Sequence, residues 1–333
     1  MNQAASLASQ QTPHFNSPWW LPDGHSQTLW RKLRPAINIS QRRQRIELAD
    51  GDFIDLDWVD AQDSDQKPIA LLLHGLCGCS KSPYIQSLQH CLKENNYSSV
   101  AMNFRGCSGE MNRLARAYHS GVSEDVEAVI TQLSAANAER KFVIVGFSLG
   151  ANVSLKWLAQ TRHSERVHKA VAVSTPFSLA LCSHAMGQGI SKFYGKYFLK
   201  SLRRDMQAKK KFLKSQGLHD QLAILESCGD LSQLSTIWEF DDSVTAPLHG
   251  FSSAQDYYDR CSSLSFLASI TTNTLLIQSN NDPIIPAEAV PKAGDLNANT
   301  RLELTASGGH VGFVGANTGL WLERRVIDFI EAD

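Results

Sequence analysis

The stretch that decides the fold is residues 142–150, Phe-Val-Ile-Val-Gly-Phe-Ser-Leu-Gly, followed by residues 151–159, which favour a helix with one apolar face. Its first four residues form an apolar run of β-branched and aromatic side chains, the profile of a buried parallel strand. The pattern Gly-x-Ser-x-Gly then predicts a turn too sharp for side chains at both flanking positions. Such a turn places the Ser148 hydroxyl at the carboxyl edge of a sheet, in front of a helix amino terminus. The same five-residue pattern also occurs by chance in many sequences. The prediction therefore depends on the strand predicted before it and the helix predicted after it.

Short apolar strands alternate with helices on both sides of this stretch. We predict strands at residues 69–73, 99–104, 170–174, 274–278 and 301–305, and helices at residues 83–94, 124–133 and 320–330. Ser123 is the expected amino-terminal cap of the helix at 124–133. Upstream, residues 45–48 and 53–58 alternate apolar and polar side chains around a turn, which predicts an antiparallel hairpin. This order predicts an α/β protein with a mostly parallel, doubly wound sheet covered by helices on both faces.

Residues 177–264 interrupt this alternation, because they contain helical, lysine-rich sequence and no strong buried strand. We interpret them as a helical cap inserted over the carboxyl edge of the sheet. The core then consists of residues 41–176 and 265–333, and residues 1–40 form a polar tail and an aromatic docking segment. The basic cluster at residues 203–211 is expected to be a solvated helix face, with contact to nucleic acid or membrane as the alternative.

Aromatic and large apolar side chains concentrate in residues 13–33. They are Phe15, Trp19, Trp20, Leu21, Leu29 and Trp30. A segment of this composition is not expected to stay solvated, so we predict that it docks on the main domain. It either serves packing alone or also lines a channel for substrate.

The composition of the 333 residues, 43% hydrophobic and 20% charged, is that of a soluble globular protein. A net charge of −1 supplies no global field that attracts nucleic acid or an anionic membrane. Residues 1–13 lack the features of a signal peptide, and no run of about 18 apolar residues predicts a membrane span, so stable membrane insertion is not expected. Seven cysteines without an export signal are expected to be reduced thiols, which indicates a cytoplasmic protein.

A serine hydroxyl becomes a good nucleophile when a histidine takes its proton and a carboxylate holds that histidine. Asp282 follows the predicted strand at 274–278, and His310 follows the strand at 301–305 behind two glycines. Parallel strands bring their carboxyl ends to one edge, so both side chains are expected beside Ser148. The order Ser, Asp, His along the chain matches α/β-hydrolases and differs from the trypsin and subtilisin orders. We therefore predict a catalytic triad of Ser148, Asp282 and His310.

Other residues compete for these roles, since an Asp-Pro pair after a strand is often only a turn. The competing carboxylates are Asp241, Asp242 and Glu288. A lone histidine in such a loop is also more often structural than catalytic. The coincidence of three matches in the right order favours the triad over these alternatives.

Two backbone N–H groups are the predicted donors to the developing oxyanion. Leu149 directly follows Ser148, and Leu76 lies in the loop after the strand at 69–73. Loss of one such donor costs about 3–4 kcal/mol of transition-state stabilisation. His74, at the end of the same strand, is expected to pack and to shape this loop rather than to act as a base.

No metal and no cofactor is predicted. Cys77 and Cys79 form a C-x-C pair without a second pair at zinc-finger spacing, and Cys107 lies in a glycine turn with no base beside it in sequence. The glycine-rich stretches 75–78 and 146–150 lack the lysine of a phosphate loop and the spacing of a dinucleotide fingerprint.

Several longer motifs resemble the YheT-like α/β-hydrolases, a group that includes eukaryotic monoacylglycerol lipase and ester synthase/esterase relatives. The matching motifs are WLPDGHSQTLW (20–30), LHGL (73–76), SPY (82–84), NFRGCSG (103–109), YHSG (118–121), TAPLHGF (245–251) and GGHVGF (308–313). The resemblance runs from about residue 15 to the carboxyl terminus. It implies an α/β-hydrolase fold, a charge relay of Ser148, Asp282 and His310, and activity on carboxylic esters.

The chain departs from these relatives at Asn281-Asp282, where they have two consecutive acids before the proline. Asp282 is therefore the local carboxylate that remains. The eukaryotic relatives have an amino-terminal membrane anchor that we do not expect in this chain, so their lipid substrates are not carried over.

The predicted function is a serine esterase that acts on a small-molecule ester through an acyl-enzyme. An acyltransferase that passes the acyl group to an alcohol or thiol uses the same residues and remains an alternative. A binding protein without turnover is the third alternative, and the complete triad argues against it. The sequence does not specify the natural substrate, the acyl length or the oligomeric state, and it is compatible with a monomer.

Overall fold

A computed structural model describes residues 15–33, 37–62, 66–137, 139–316 and 319–332 of the chain. The polar tail expected before residue 12 lies outside the described residues. Within these ranges, no helix combines the length and the apolar composition that crossing a membrane requires.

One mixed sheet organises the described residues. Its strands are β1 (Arg42–Glu47), β2 (Phe53–Val59), β3 (Ile69–Leu73), β4 (Ser99–Asn103), β5 (Phe142–Phe147), β6 (Val167–Val173), β7 (Thr274–Ser279) and β8 (Thr300–Thr305). Their order in the sheet is β1-β2-β4-β3-β5-β6-β7-β8. The β2 strand pairs antiparallel with both of its neighbours, β1 and β4. The six strands from β4 to β8 in this order, which include β3, are parallel to one another. The predicted α/β class with a mostly parallel sheet is confirmed.

Helices cover both faces of this sheet and make up most of the segment between β6 and β7. The α-helices of the described residues are α1 (Gly24–Leu33), α2 (Pro83–Glu94), α3 (Ser123–Ala136), α4 (Leu149–Gln160), α5 (Leu179–Ala185), α6 (Lys192–Ser215), α7 (His219–Glu226), α8 (Ile237–Phe240), α9 (Ala246–Leu248), α10 (Ala254–Cys261) and α11 (Trp321–Glu331). Alternate side chains of β3 point to opposite faces, so Leu71 packs with the core under α3 and α4, while Leu72 packs with the core under α2 and α11. Both faces are therefore buried, which explains why the parallel strands are apolar throughout.

Two local expectations differ from the structure. The hairpin strand β1 begins at Arg42 rather than at residue 45, because Arg42 and Arg43 form ion pairs across the hairpin with Asp60 and Asp57. Cross-strand pairs of opposite charge stabilise a strand whose side chains are not apolar. Ser123 was the expected cap of α3, but it is the first residue of that helix, and its side chain makes no capping hydrogen bond.

Residues 177–264 contribute α5 to α10 and no strand to the described sheet. The α6 helix is the longest of them, with 24 residues. Its side chains Leu199, Met206 and Leu213 form a separate apolar cluster with α7 and α8. The division of the chain into a core and a cap stays a prediction, although these contacts agree with it.

The basic cluster on α6 is not a uniformly solvated face, so this expectation was wrong for one residue. Lys209 is buried, and its ammonium donates hydrogen bonds to the backbone and side-chain oxygens of Asn112. Burial lowers the pKa of Lys209 to about 8. Arg204 and Lys211 are exposed, as expected.

The aromatic segment before the sheet docks only in part. Phe15 packs edge-on against Phe313 and Trp321, and Leu21 is buried. In contrast, Trp19 is 89% exposed and Trp30 is 42% exposed. The expectation that such a segment cannot stay solvated was therefore wrong for its tryptophans.

Candidate active site

The backbone of the Gly-x-Ser-x-Gly turn approaches its neighbours too closely for side chains at the two glycines. A Cβ atom on Gly146 would lie 2.5 Å from the Cα atom of Ala151, and one on Gly150 would lie 2.4 Å from the carbonyl oxygen of Leu73. Between them, Ser148 has φ 52° and ψ −121°, an unusual backbone conformation for a residue with a side chain. Its N–H donates to the carbonyl of Val173 at 2.8 Å, which ties the turn to β6. The turn thus holds the serine in a strained position at the sheet edge.

The Ser148 hydroxyl lies within hydrogen-bond distance of a histidine from the loop after β8, the last strand of the sheet. The distance from Ser148 Oγ to His310 Nε2 is 2.8 Å. His310 follows β8, and its neighbour Val311 has φ 58° and donates its N–H to Ser174 Oγ at 2.9 Å. The backbone of the histidine loop is therefore held against the end of β6, where the nucleophile turn is also anchored.

Asp282 holds the opposite side of the same imidazole. Its Oδ2 and Oδ1 atoms lie 3.0 and 3.2 Å from His310 Nδ1. The carboxylate also accepts hydrogen bonds from the N–H groups of Ile284 and Ile285 and from Gln278 Nε2. These donors orient a buried carboxylate so that the histidine proton is on Nδ1, and Nε2 is then free to accept from the serine.

None of the competing carboxylates makes a hydrogen bond to His310 among the described residues. Asp241 accepts from the hydroxyls of Thr245 and Tyr258, and burial raises the pKa of Asp241 to about 6. Asp242 accepts from the N–H of Ala254, and Glu288 is exposed. The geometry therefore favours Asp282 over the three alternatives.

The predicted oxyanion donors lie beside the serine. Leu76 and Leu149 line the same cavity as Ser148, and a Cβ atom on Gly75 would be 3.1 Å from Ser148 Cβ. In the described part of the chain, neither the N–H of Leu76 nor that of Leu149 donates to a protein group. Two unpaired N–H groups next to a nucleophile are the arrangement that stabilises an oxyanion.

His74 shapes the loop that carries Leu76, as its position in the sequence indicates. It is fully buried, its Nε2 accepts from the N–H of Phe104, and its Nδ1 donates to the carbonyl of Gly75 at 2.8 Å. Burial lowers the pKa of His74 to about 4, so the imidazole is neutral at pH 7. Its role is structural because both ring nitrogens are occupied.

Three residues whose hydrogen bonds fix the loops of this site were not predicted from the sequence. The hydroxyls of Tyr84 and Tyr118 accept from the N–H groups of Gly75 and Cys77 and so fix both sides of Leu76. Thr28, on α1, accepts from the N–H of His310 at 2.8 Å. Tyr84 and Tyr118 belong to the SPY and YHSG motifs, and Thr28 lies in the WLPDGHSQTLW motif. The motifs therefore contain these residues but do not indicate which hydrogen bonds they make.

Two cavities meet at Ser148 and His310. The inner cavity, about 160 Å³, lies under α6 and α8 and has mainly apolar walls. Its walls include Met186, Phe198, Leu202, Met206, Val244 and Leu248, with Asp241 and Lys209 among the polar members. The outer cavity, about 530 Å³, lies between α1 and the first turns of α6 and is lined by His25, Thr28, Leu29, Ile190, Phe193 and Tyr197. Residues of α1 thus line a cavity that reaches the serine, in addition to packing on the core.

No metal-binding cluster of three or more His, Cys, Asp or Glu side chains occurs within the described ranges. Burial raises the pKa of Cys77 to about 12 and that of Cys107 well above its usual value. Both groups are therefore protonated thiols at neutral pH, which is the unreactive form.

Comparisons with known proteins agree with this fold. A family model described as the α/β-hydrolase fold matches residues 68–316. YheT of Escherichia coli, for which esterase activity is proposed, is 38% identical over 92% of this chain and 89% of its own length. Phospholipase ABHD3 of Mus musculus is 30% identical over 91% of this chain and 73% of its own length.

Solved structures share the fold at lower identity. The esterase Pf2001 of Pyrococcus furiosus superposes with a TM-score of 0.57 at 17% identity, over 89% of this chain and 97% of that one. At this identity the similarity concerns the fold alone. The family model and the relatives that match along most of the chain show that this protein belongs to the YheT-like α/β-hydrolases.

Proposed function

We propose that the protein is a serine hydrolase that cleaves carboxylic esters through an acyl-enzyme. The observation that carries the proposal is the continuous chain of hydrogen bonds from Asp282 through His310 to the Ser148 hydroxyl. It lies beside two N–H donors without partners in the described part of the chain and opens into two cavities. The names of the relatives, an esterase and a phospholipase, support ester substrates.

In this mechanism His310 Nε2 takes the hydroxyl proton as Ser148 Oγ attacks the ester carbonyl. Asp282 keeps the other imidazole proton on Nδ1 and stabilises the imidazolium that forms. The N–H groups of Leu76 and Leu149 bind the oxyanion of the tetrahedral intermediate. His310 then returns its proton to the leaving alcohol, and a water molecule, activated in the same way, hydrolyses the acyl-enzyme.

The inner cavity is the proposed site of the acyl chain. Its walls are mainly apolar side chains from α6, α8 and the segment after them, and it reaches Ser148 directly. The outer cavity then receives the alcohol portion, since it opens on the other side of the same two residues, Ser148 and His310. This division predicts short- to medium-chain acyl esters or lipid-like esters as substrates.

Labelling with a fluorophosphonate probe tests the nucleophile. Wild-type protein is expected to be labelled, and Ser148→Ala is expected to lose both labelling and hydrolysis of p-nitrophenyl esters. Ser265→Ala is the matched control, because Ser265 is an exposed serine and should be labelled as wild type. Labelling that survives in Ser148→Ala excludes this serine as the nucleophile.

Acyl transfer to an alcohol or thiol uses the same residues, so product analysis must separate the two reactions. An ester is incubated with a competing alcohol, and the free acid and the new ester are quantified. Mainly free acid supports the hydrolase, and mainly new ester indicates a transferase. A protein that neither cleaves graded p-nitrophenyl esters nor reacts with the probe is a binding protein of this fold.

A further inference from the structure

Exposed apolar side chains are concentrated at the mouth of the outer cavity. Eight of the eleven large apolar side chains that are exposed in the described part of the chain lie in two segments, one of α1 with the residues before it and one of the first turns of α6 with the residues just before them. They are Trp19, Trp20, Leu29, Trp30, Leu33, Ile190, Phe193 and Tyr197, which we call the entrance patch. The most exposed are Trp19 at 89%, Leu33 at 76% and Phe193 at 74%. A protein surface rarely exposes so many apolar groups in one place without a partner.

The two segments of this patch face each other across the cavity. Leu29 lines the outer cavity from α1, and Phe193 and Tyr197 line it from α6. The ammonium of Lys32 lies 3.4 Å from the centre of the Tyr197 ring, which joins the two helices. Leu33 follows Leu29 by one helical turn, and Trp30 packs edge-on against Trp20. The α1 and α6 side chains of the patch therefore border one opening.

Positive charge accompanies the patch. Lys32 on α1 and Lys192, Lys196 and Lys200 on α6 are all exposed. Residues 187–204 contain no acidic side chain, and Asp23 is the one carboxylate in residues 15–33. The exposed aromatic and basic side chains thus alternate along the first turns of α6. This composition matches an interfacial helix on an anionic bilayer, with tryptophans at the depth of the headgroups.

We propose that the entrance patch docks the protein on anionic lipid bilayers, with the apolar side chains in the headgroup region and the lysines on the lipid phosphates. A second copy of the chain fits less well, because four lysines from each copy would then face one another. Docking on a bilayer does not depend on catalysis. Its consequence does rest on the proposed function: the opening that leads to Ser148 would face the membrane, so an ester lipid could enter from it without crossing water.

Vesicle flotation of the full-length Ser148→Ala protein tests docking without turnover. Vesicles of phosphatidylcholine mixed with phosphatidylglycerol are compared with vesicles of pure phosphatidylcholine. The protein is expected to float with the mixed vesicles and to be released by high salt, since salt screens the lysine contacts. Flotation with neither type of vesicle overturns the proposal.

Two sets of variants locate the contact. The triple variant Lys192→Gln, Lys196→Gln, Lys200→Gln is expected to lower partition to mixed vesicles by at least about tenfold. Its matched control is Lys93→Gln, Lys211→Gln, Lys214→Gln, which removes the same charge from exposed lysines outside the patch. The variant Trp30→Ser, Leu33→Ser is expected to weaken binding similarly, and Ile224→Ser, Leu304→Ser is its control. Equal losses in variants and controls overturn the proposal, because net charge or general apolarity then accounts for binding.

Two further measurements separate bilayer docking from catalysis and from self-association. The three substituted lysines, Trp30 and Leu33 do not line either cavity. In protein that keeps Ser148, both patch variants should therefore hydrolyse a short, water-soluble ester at the wild-type rate. If docking holds and this ester is not cleaved, the proposed function fails while the bilayer contact stands. Sedimentation of the protein without lipid tests the second-copy alternative. A dimer that the patch variants convert to monomer would assign the patch to self-association and overturn the proposal.

Discussion

The inner and outer cavities share Ser148 and His310, but the side chains that line them differ in how far they are exposed to solvent. The inner one is lined mainly by buried and half-buried side chains of α6, α8 and the segment after α8, among them the buried polar groups Asp241 and Lys209. The outer one is bordered by half-exposed and exposed side chains such as Leu29 and Phe193. The walls of the inner cavity thus belong largely to packed side chains, while those of the outer cavity include side chains exposed at the surface.

This difference separates two requirements of the proposed reaction. The reacting groups belong to the sheet edge, where hydrogen bonds between β6, the nucleophile turn and the histidine loop fix their positions. The cavity walls come mainly from segments outside the sheet, although the wall residues Thr28 and Tyr84 also hold the loops of the site. Changes to the shared turn should therefore disable the whole site, and changes to wall residues without such contacts should alter one part of the substrate preference.

The largest effect is expected where both cavities meet. Gly150→Ala would place a Cβ atom 2.4 Å from the carbonyl oxygen of Leu73 and 2.5 Å from that of His74. Because backbone must move to relieve this contact, kcat/KM for p-nitrophenyl esters should fall by more than about 1,000-fold, or the protein should fail to fold. Gly294→Ala is the control, since a Cβ there meets no atom within 4 Å. Activity of Gly150→Ala close to that of the control would contradict the strained turn.

Asp241, the buried acid of the inner cavity, should make the free energy of unfolding depend on pH. Burial raises the pKa of Asp241 from 3.8 to about 6, so the folded state holds the proton more tightly than the unfolded state does. Stability from this group is therefore present below pH 4 and is lost as the pH rises towards 7, by an amount on the order of 3 kcal/mol. Urea unfolding at several pH values should show wild type losing this stability relative to Asp241→Asn. A difference between the two proteins that stays constant from pH 4 to pH 7 would contradict the buried charge.

Filling one cavity should change one half of the substrate preference. Val244 is buried and lines the inner cavity, so Val244→Phe should lower kcat/KM for medium-chain esters roughly 30-fold relative to acetyl esters. Leu29→Phe, in the outer wall, is the matched variant and should alter preference for the alcohol while leaving the acyl-length profile unchanged. Equal profiles for the two variants would remove the assignment of acyl chain and alcohol to separate cavities.

The smallest effect is expected from the contact between α1 and the histidine loop. Thr28 Oγ1 accepts from the N–H of His310 and donates to the carbonyl of Gly24. Thr28→Val leaves that N–H without its partner, so kcat should fall about tenfold while KM for a small ester changes little. Thr28→Ser keeps the hydroxyl and should restore kcat, which a loss of packing alone would not allow. A Thr28→Val enzyme with wild-type kcat would show that the loop does not need α1.

Local patterns predicted much of the fold and of the candidate site. The strands β3 and β7 begin where apolar, β-branched sequence begins, because burial on both faces demands such residues. Chain order and strand ends sufficed to bring Ser148, Asp282 and His310 into one hypothesis. The contacts of Tyr118 and Thr28 were not predictable, because each joins segments far apart in sequence through a hydroxyl that has no periodic signature.

The burial of Lys209 and the exposure of the tryptophans were also not predictable from the sequence. Composition indicated that the lysine is solvated and the aromatic segment buried, yet Lys209 is buried on Asn112 and Trp19 is exposed. Average preferences describe how often a residue type is buried, not which neighbour covers a given side chain.

By itself, the sequence determined the fold class and the order of the candidate triad residues, since apolar periodicity and the Gly-x-Ser-x-Gly turn are properties of short segments. Only the tertiary structure decided the hydrogen-bond distances of the candidate triad, the two cavities that meet at Ser148 and the exposed patch around one of them. The physical reason is that these features form between segments such as α1, α6 and the loop of His310, whose approach depends on the packing of the whole chain.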